Sequence, residues 1–207
     1  MHELPEFGRN ALEALRQPLE DGRLTLSRAA GTVTFPASFM LVAAMNPSPT
    51  GGFDDAAGGK CTPTAMRRYL NRISGPLLDR IDLHVEVPTI DRQLLLRSEP
   101  AEGSVAIRSR VERARASQAQ RLSGWRKIHN NARMGPSEIA RFCILSPACR
   151  SFLSTAISEL ALSARTFHRI LKVARTIADL AGREELREED LAKAIGFRSL
   201  DRRIWGE

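Results

Sequence analysis

The chain has 207 residues, 43% of them hydrophobic, and a formal net charge of +7. That composition excludes a disordered chain, and no apolar run approaches the roughly 20 residues that a membrane helix needs. A soluble, cytoplasmic protein is expected, long enough for one domain or two small ones and with no membrane partner.

The opening Met1-His2-Glu3-Leu4-Pro5-Glu6-Phe7 reads as the tail of an acidic ATPase motif, yet no Gly-x-x-x-x-Gly-Lys-Ser/Thr phosphate loop occurs in the sequence. From Phe7 to about Asp21 the spacing is helical, with Leu12, Leu15 and Leu19 on one face and Phe7 behind them, and Pro18 ends or kinks the helix. Leu24–Leu26 and Thr32–Phe35 are short β-prone runs joined as a hairpin, in which Gly31 is free to take positive φ. Phe39–Ala44 is a continuous apolar run of the kind buried on both faces of a parallel sheet. Asn46–Lys60 is a loop, Pro63–Ile73 a helix, and Ile81–Val87 an alternating strand ended by Pro88. Strand, loop, helix and strand predict an α/β layer, present only in part.

Beyond Pro88 the character changes. Asp91–Gly103 reads as a linker with a short helical piece, followed by a long Arg-rich helix from Ser104 to about Leu122 with Ile107, Val111, Ala114 and Leu122 at helical intervals. Ser137 is expected to cap a helix as a simple N-cap, Pro147 to open the next, and Ser163 to open a strongly periodic one through Phe167, Ile170, Leu171, Ala174, Ile177 and Ala178. Gly182 is placed to cap that helix at its C-terminus, and Glu188–Ile195 forms a short last one.

The positive charge is nearly all Arg, spread along the chain, so it decides nothing by itself about phosphate or nucleic-acid partners. Cys61, Cys143 and Cys149 lack metal-ligand spacing and the four His are scattered, so no metal site is expected. Five residues carry candidate chemistry. Glu3 could orient a water against a γ-phosphate, or be a frayed terminal residue; His2 before it is a poor magnesium ligand. Asn46 follows the apolar run where strand ends face ligands, or simply starts the turn at Pro47. Arg80, in Leu77-Leu78-Asp79-Arg80-Ile81-Asp82, could act across a subunit interface or pair locally with Asp79 or Asp82. Arg165, at the start of its helix, has the same two readings. Arg28 at the hairpin tip could touch a nucleic-acid backbone or be solvated, as could Lys127 and Arg108, Arg110, Arg113 and Arg115.

The strings Glu3-Leu4-Pro5-Glu6-Phe7, Leu12-Glu13-Ala14-Leu15-Arg16-Gln17-Pro18-Leu19-Glu20-Asp21-Gly22, Leu41-Val42-Ala43-Ala44-Met45-Asn46-Pro47, Ser74-Gly75-Pro76-Leu77-Leu78-Asp79-Arg80-Ile81-Asp82-Leu83-His84, Leu162-Ser163-Ala164-Arg165 and Arg198-Ser199-Leu200-Asp201-Arg202 closely resemble the ComM/YifB family of magnesium-chelatase-like AAA+ ATPases. The likeness runs from Glu3 to about Trp205. It implies an α/β fold: the C-terminal half of an AAA+ P-loop-type domain in 1–90, a linker and long helix in 91–136, and a helical lid in 137–207. It also implies Glu3 as the Walker B glutamate, Asn46 as sensor 1, Arg80 as the arginine finger, Arg165 as sensor 2, and the Arg28 hairpin as a pore-facing insert.

Family members imply ATP and Mg²⁺ as cofactors, other AAA+ subunits of a hexameric ring as partners, and DNA branch migration in competence as the task. The sequence departs from the pattern in lacking the Walker A loop and the N-terminal Lon-protease-like domain, in His2 at the Walker B Asp position, and in Ser48 and Thr50 where cysteines often stand. The chain is therefore expected to be a fragment of such an ATPase. A non-catalytic partner subunit, a magnesium chelatase ATPase subunit and a nucleic-acid-binding module are the alternatives, and the Arg-Ser-Leu-Asp-Arg ending favours the ComM/YifB branch over the chelatase. The cut edge of the sheet predicts poor solubility of the chain alone. The purified 207-residue chain is expected to show no ATP hydrolysis above background, since phosphate-cradling amides and Lys are missing. Turnover that disappears in Glu3→Gln would overturn that expectation.

Overall fold

The computed structural model describes residues 1–29, 31–49, 61–88, 101–126, 128–160 and 162–198. Met1–His84 and Val85–Ser199 form two compact units. Most of the 46–60 loop, the 91–103 linker with its helical piece, Lys127 and the ending after Arg198 lie mainly or wholly outside the described residues.

In the first unit a 3-10 turn at Leu4–Glu6 leads into α1 (Arg9–Ala14) and α2 (Arg16–Asp21). The single helix expected over 7–21 is broken at Leu15 because Pro18 has no N–H to donate to the Ala14 carbonyl one turn back. Strands β1 (Arg23–Arg28) and β2 (Gly31–Pro36) form an antiparallel hairpin in the register Leu24↔Phe35 and Leu26↔Val33. Gly31 takes φ 142°, as the hairpin reading required of a residue without Cβ. After the loop come α3 (Pro63–Leu70), capped by Thr62 Oγ1 accepting from Ala65 N at 3.2 Å, and the one-turn α4 (Gly75–Leu78), capped by Ser74. Leu4, Leu12, Ile73, Leu77 and Leu78 make the core, with Leu15, Leu19, Met45 and Ile81 against it.

The two strands expected at Phe39–Ala44 and Ile81–Val87 do not form. A parallel strand persists only when hydrogen-bonded neighbours flank it and layers cover its faces. Among the described residues the first run is bonded only on one side. The Met1 amino group donates to Val42 O at 2.8 Å, Ala44 N to Met1 O at 2.8 Å, and Leu4 N to Ala44 O at 2.9 Å. Its faces stay open, Met40 being 86% and Val42 67% exposed. The α/β layer is thus reduced to this short pairing and the hairpin.

The second unit is helical. It contains α5 (Ser104–Arg121), a 3-10 turn at Asn131–Arg133, α6 (Pro136–Phe142), α7 (Pro147–Leu160), α8 (Ala164–Leu180) and α9 (Glu188–Gly196). Pro147, Ser163 and Gly182 act as the sequence predicts. Ser163 Oγ accepts from Thr166 N, and Gly182 at φ 70° lets Arg183 N reach back to Ala178 O at 2.9 Å. Ser137 is not the cap of α6. The helix starts one residue earlier, and Glu138 accepts from Gly135 N at 2.7 Å, closing the first turn from the other direction.

The periodic face of α8 is the core, with Ile170, Leu171, Ala174 and Ala178 buried alongside Leu122, Ile139, Leu153 and Leu191. Of the apolar positions expected on α5, Ala114 and Leu122 are buried while Ile107 and Val111 are exposed. Cys143 and Cys149 are packing residues, and burial pushes the Cys143 thiol up to about 11.

Threaded through this core is an ionic knot on Asp179. Its carboxylate accepts from Arg121, from Arg175 Nε at 3.1 Å and from Asn131 Nδ2 at 2.8 Å. Both Asp179 and Arg175 are buried. Asp179→Ala is expected to cost about 3–5 kcal/mol, because Arg175 would be left buried without its carboxylate. A denaturation midpoint within error of the parent would contradict this.

Candidate functional site

The acidic motif begins in an unusual backbone. Glu3 has φ 52° and ψ 55°, and its carbonyl accepts from Glu6 N at 2.8 Å to start the 3-10 turn. A left-handed Glu is strained, and the bonds from Met1 and Leu4 to Val42 and Ala44 on either side hold it there. Its side chain is exposed, as is that of Asn46 two residues past Ala44. The two thus lie at adjacent ends of one hydrogen-bonded pair of segments.

Tyr69, on α3, is bonded to the second of these segments. Its hydroxyl donates to the Asn46 carbonyl at 3.1 Å, and the ring is buried. Burial raises the Tyr69 pKa, the bond to Asn46 opposes that rise, and the negative charges of Glu6 and Glu3 add to it. The phenol therefore remains a proton donor at neutral pH. From the turn after α3, Arg72 Nη1 donates to Pro5 O at 3.2 Å and to Glu6 Oε1 at 2.7 Å. These contacts tie α3 to both candidate segments, and sequence reading passed them over. The signal available was Tyr69 itself, the one tyrosine in the chain.

Arg80 lies just past α4. Neither Asp79 nor Asp82 is its recorded partner: Nη2 pairs with Glu20 of α2 and Nη1 donates to Pro76 O at 2.6 Å. Its Nε is buried with no hydrogen-bond partner among the described residues. Arg28 closes β1 opposite Gly31, exposed at the hairpin end. Arg165 belongs to the other unit, exposed at the second residue of α8. Within the first unit the fold brings Glu3 and Asn46 together, and holds Arg80 on a carboxylate of its own chain.

Glu3 and Asn46 offer an exposed carboxylate and an exposed residue with a side-chain amide. No cradle for the inner phosphates is present among the described residues, and His2 stands where a hard cation would want oxygen. No helix among the described residues is long and apolar enough to cross a membrane.

Known proteins place the chain in a class. The family model described as "Magnesium chelatase, subunit ChlI" matches residues 1–95, and that described as "Magnesium chelatase, subunit ChlI C-terminal" matches 101–198. Within that class the chain belongs to the ComM/YifB family of magnesium-chelatase-like proteins. It is 46% identical over 203 residues to the "Competence protein ComM" of Haemophilus influenzae. It is 43% identical to the "Uncharacterized protein YifB" of Escherichia coli and 41% to that of Salmonella typhimurium. Each alignment covers 98% of this chain and 39% of the relative.

Removing the Tyr69 hydroxyl tests the link between α3 and Asn46. Tyr69→Phe is expected to lower stability by about 0.5–1.5 kcal/mol and to shift the Asn46 and Glu3 amide resonances. Unchanged spectra at both positions would show that the hydroxyl does not hold the segment.

Proposed function

We propose that these residues form the catalytic and lid part of an AAA+ ATP-driven ring motor of the ComM/YifB type, acting on DNA in competence. The observation that supports the reading is the pairing of Met1–Leu4 with Val42–Ala44, the two segments that carry Glu3 and lead into Asn46. In that role Glu3 orients the attacking water and Asn46 holds it against the γ-phosphate. ATP with Mg²⁺ supplies the phosphoryl group whose hydrolysis drives the ring. Arg80 is the group delivered to a neighbouring subunit's nucleotide, Arg165 senses nucleotide from the helical lid, and Arg28 faces the DNA.

Two features of Arg80 support its part. Its partner carboxylate, Glu20, is 39% exposed and so open to exchange with solvent, although the Arg80 side chain itself is only 11% exposed. Its Nε lacks an acceptor among the described residues, so the guanidinium is incompletely satisfied where it rests. An anionic oxygen from outside can therefore compete for it.

The test is a chimera in which this chain replaces the matching segment of Haemophilus ComM. It should hydrolyse ATP, Glu3→Gln should abolish turnover, and Arg80→Ala should lower it by about 10³–10⁵. Mixing the two variants should restore part of the activity, each supplying what the other lacks. Hydrolysis indifferent to both substitutions would sink the reading.

A further inference from the structure

On the first unit, away from the side chains of Glu3, Asn46 and Arg80, lies a cleft of about 470 Å³ between the 3-10 turn, the start of α1 and the end of α3. Arg9, Arg68, Asn71 and Arg72 line it, and Glu6 is its one carboxylate. Glu6 is already engaged by Arg72. Among the described residues neither the Arg9 nor the Arg68 guanidinium donates a hydrogen bond or forms an ion pair. The carboxylate whose field Arg9 shares, Glu13, is bonded to Arg16 and Ser74. The cleft is thus lined by three arginines and by one carboxylate that Arg72 already engages through a single bond, with the exposed Asn71 beside them.

A ligand carboxylate presents two oxygens and can be satisfied by one guanidinium fork, as Glu102 is by Arg110. A phosphate group presents more acceptor oxygens and can be shared by two forks at once. We propose that the Arg9–Arg68–Arg72 cleft is a phosphate-binding site, taking a phosphate group of a polynucleotide backbone or of a small phosphate compound. The site does not depend on the ATPase reading, since none of the residues assigned to hydrolysis lines it.

The test uses the 207-residue chain and two probes, a fluorescently labelled 20-nucleotide oligothymidylate and inorganic pyrophosphate. Arg9→Gln/Arg68→Gln is compared with the parent and with Arg126→Gln/Lys193→Gln, which removes equal charge from exposed positions of the helical unit to which no binding role is assigned. Neither Arg9 nor Arg68 makes a bond that the fold would lose, and circular dichroism checks that all three proteins remain folded. Oligonucleotide binding weakened about tenfold in the cleft variant alone, with the salt slope reduced by about two, supports a polynucleotide source. Pyrophosphate binding lost in that variant alone, with oligonucleotide binding unchanged, supports a small phosphate compound. Equal losses in the two variants, no effect of the cleft substitutions on either probe, or no binding of either probe by the parent overturns the proposal.

Discussion

The helical unit depends on one buried carboxylate. Asp179, near the end of α8, gathers Arg121 from α5, Asn131 from the 3-10 turn and Arg175 from its own helix. Arg175 in turn donates to the carbonyls of Arg183 and Glu184, and Arg183 pairs with Asp190 and Glu189. Asp190 accepts from Arg187 N at 3.0 Å and so starts α9. A chain of charges therefore fixes α5, α8, the following turn and α9 to each other. Burying ions is costly, and this knot is tolerable because the carboxylate and Arg175 meet several partners at once. Its contribution is better seen as specifying one arrangement of helices than as net stability. Apolar packing along Ile170, Leu171, Ala174 and Ala178 could otherwise accept several registers.

Arg175 and Asp179 stand at i,i+4 spacing on α8, a pattern the sequence offers, but the partners that make the pair a buried knot, Arg121 and Asn131, lie 58 and 48 positions away and leave no local signal. What was legible was local. The period of α8, its Ser163 cap and its Gly182 stop are set by residues within a few positions of each other, and they agree with the structure. The start of α6 was misread for an instructive reason: Ser137 is a good capping type, but Pro136 suits the first helical position and Glu138 the third. On α5, Ile107 and Val111 have the right spacing for a core face, and no part of their own unit covers them among the described residues. Periodicity reports which face is apolar; it cannot report what lies opposite.

The same limit explains the first unit. Phe39–Ala44 and Ile81–Val87 have the composition of sheet strands, yet strand pairing is nonlocal, and among the described residues only Met1–Leu4 supplies a bonded neighbour to the first run. That one pairing still carries the site, because it fixes Glu3 relative to Asn46. The candidate residues were legible through the resemblance and their order in the chain. The groups that secure them, Tyr69 and Arg72, were not, since each acts through a carbonyl or carboxylate more than 20 positions away.

Arg80 shows how the two kinds of reading combine. Sequence alone offered neighbouring aspartates as its resting partners, whereas the fold supplies Glu20, 60 positions distant. In the proposed motor the guanidinium must exchange that carboxylate for a phosphate oxygen of another subunit. The exchange is favoured on two counts. The Glu20 carboxylate is partly open to water, while a phosphate in a closed interface is met where fields are stronger. Nε, buried without an acceptor among the described residues, also gains from any move that supplies one. The pair with Glu20 thus keeps the cation near the end of α4 when no neighbour is docked, and leaves Nε open to an acceptor that docking would bring.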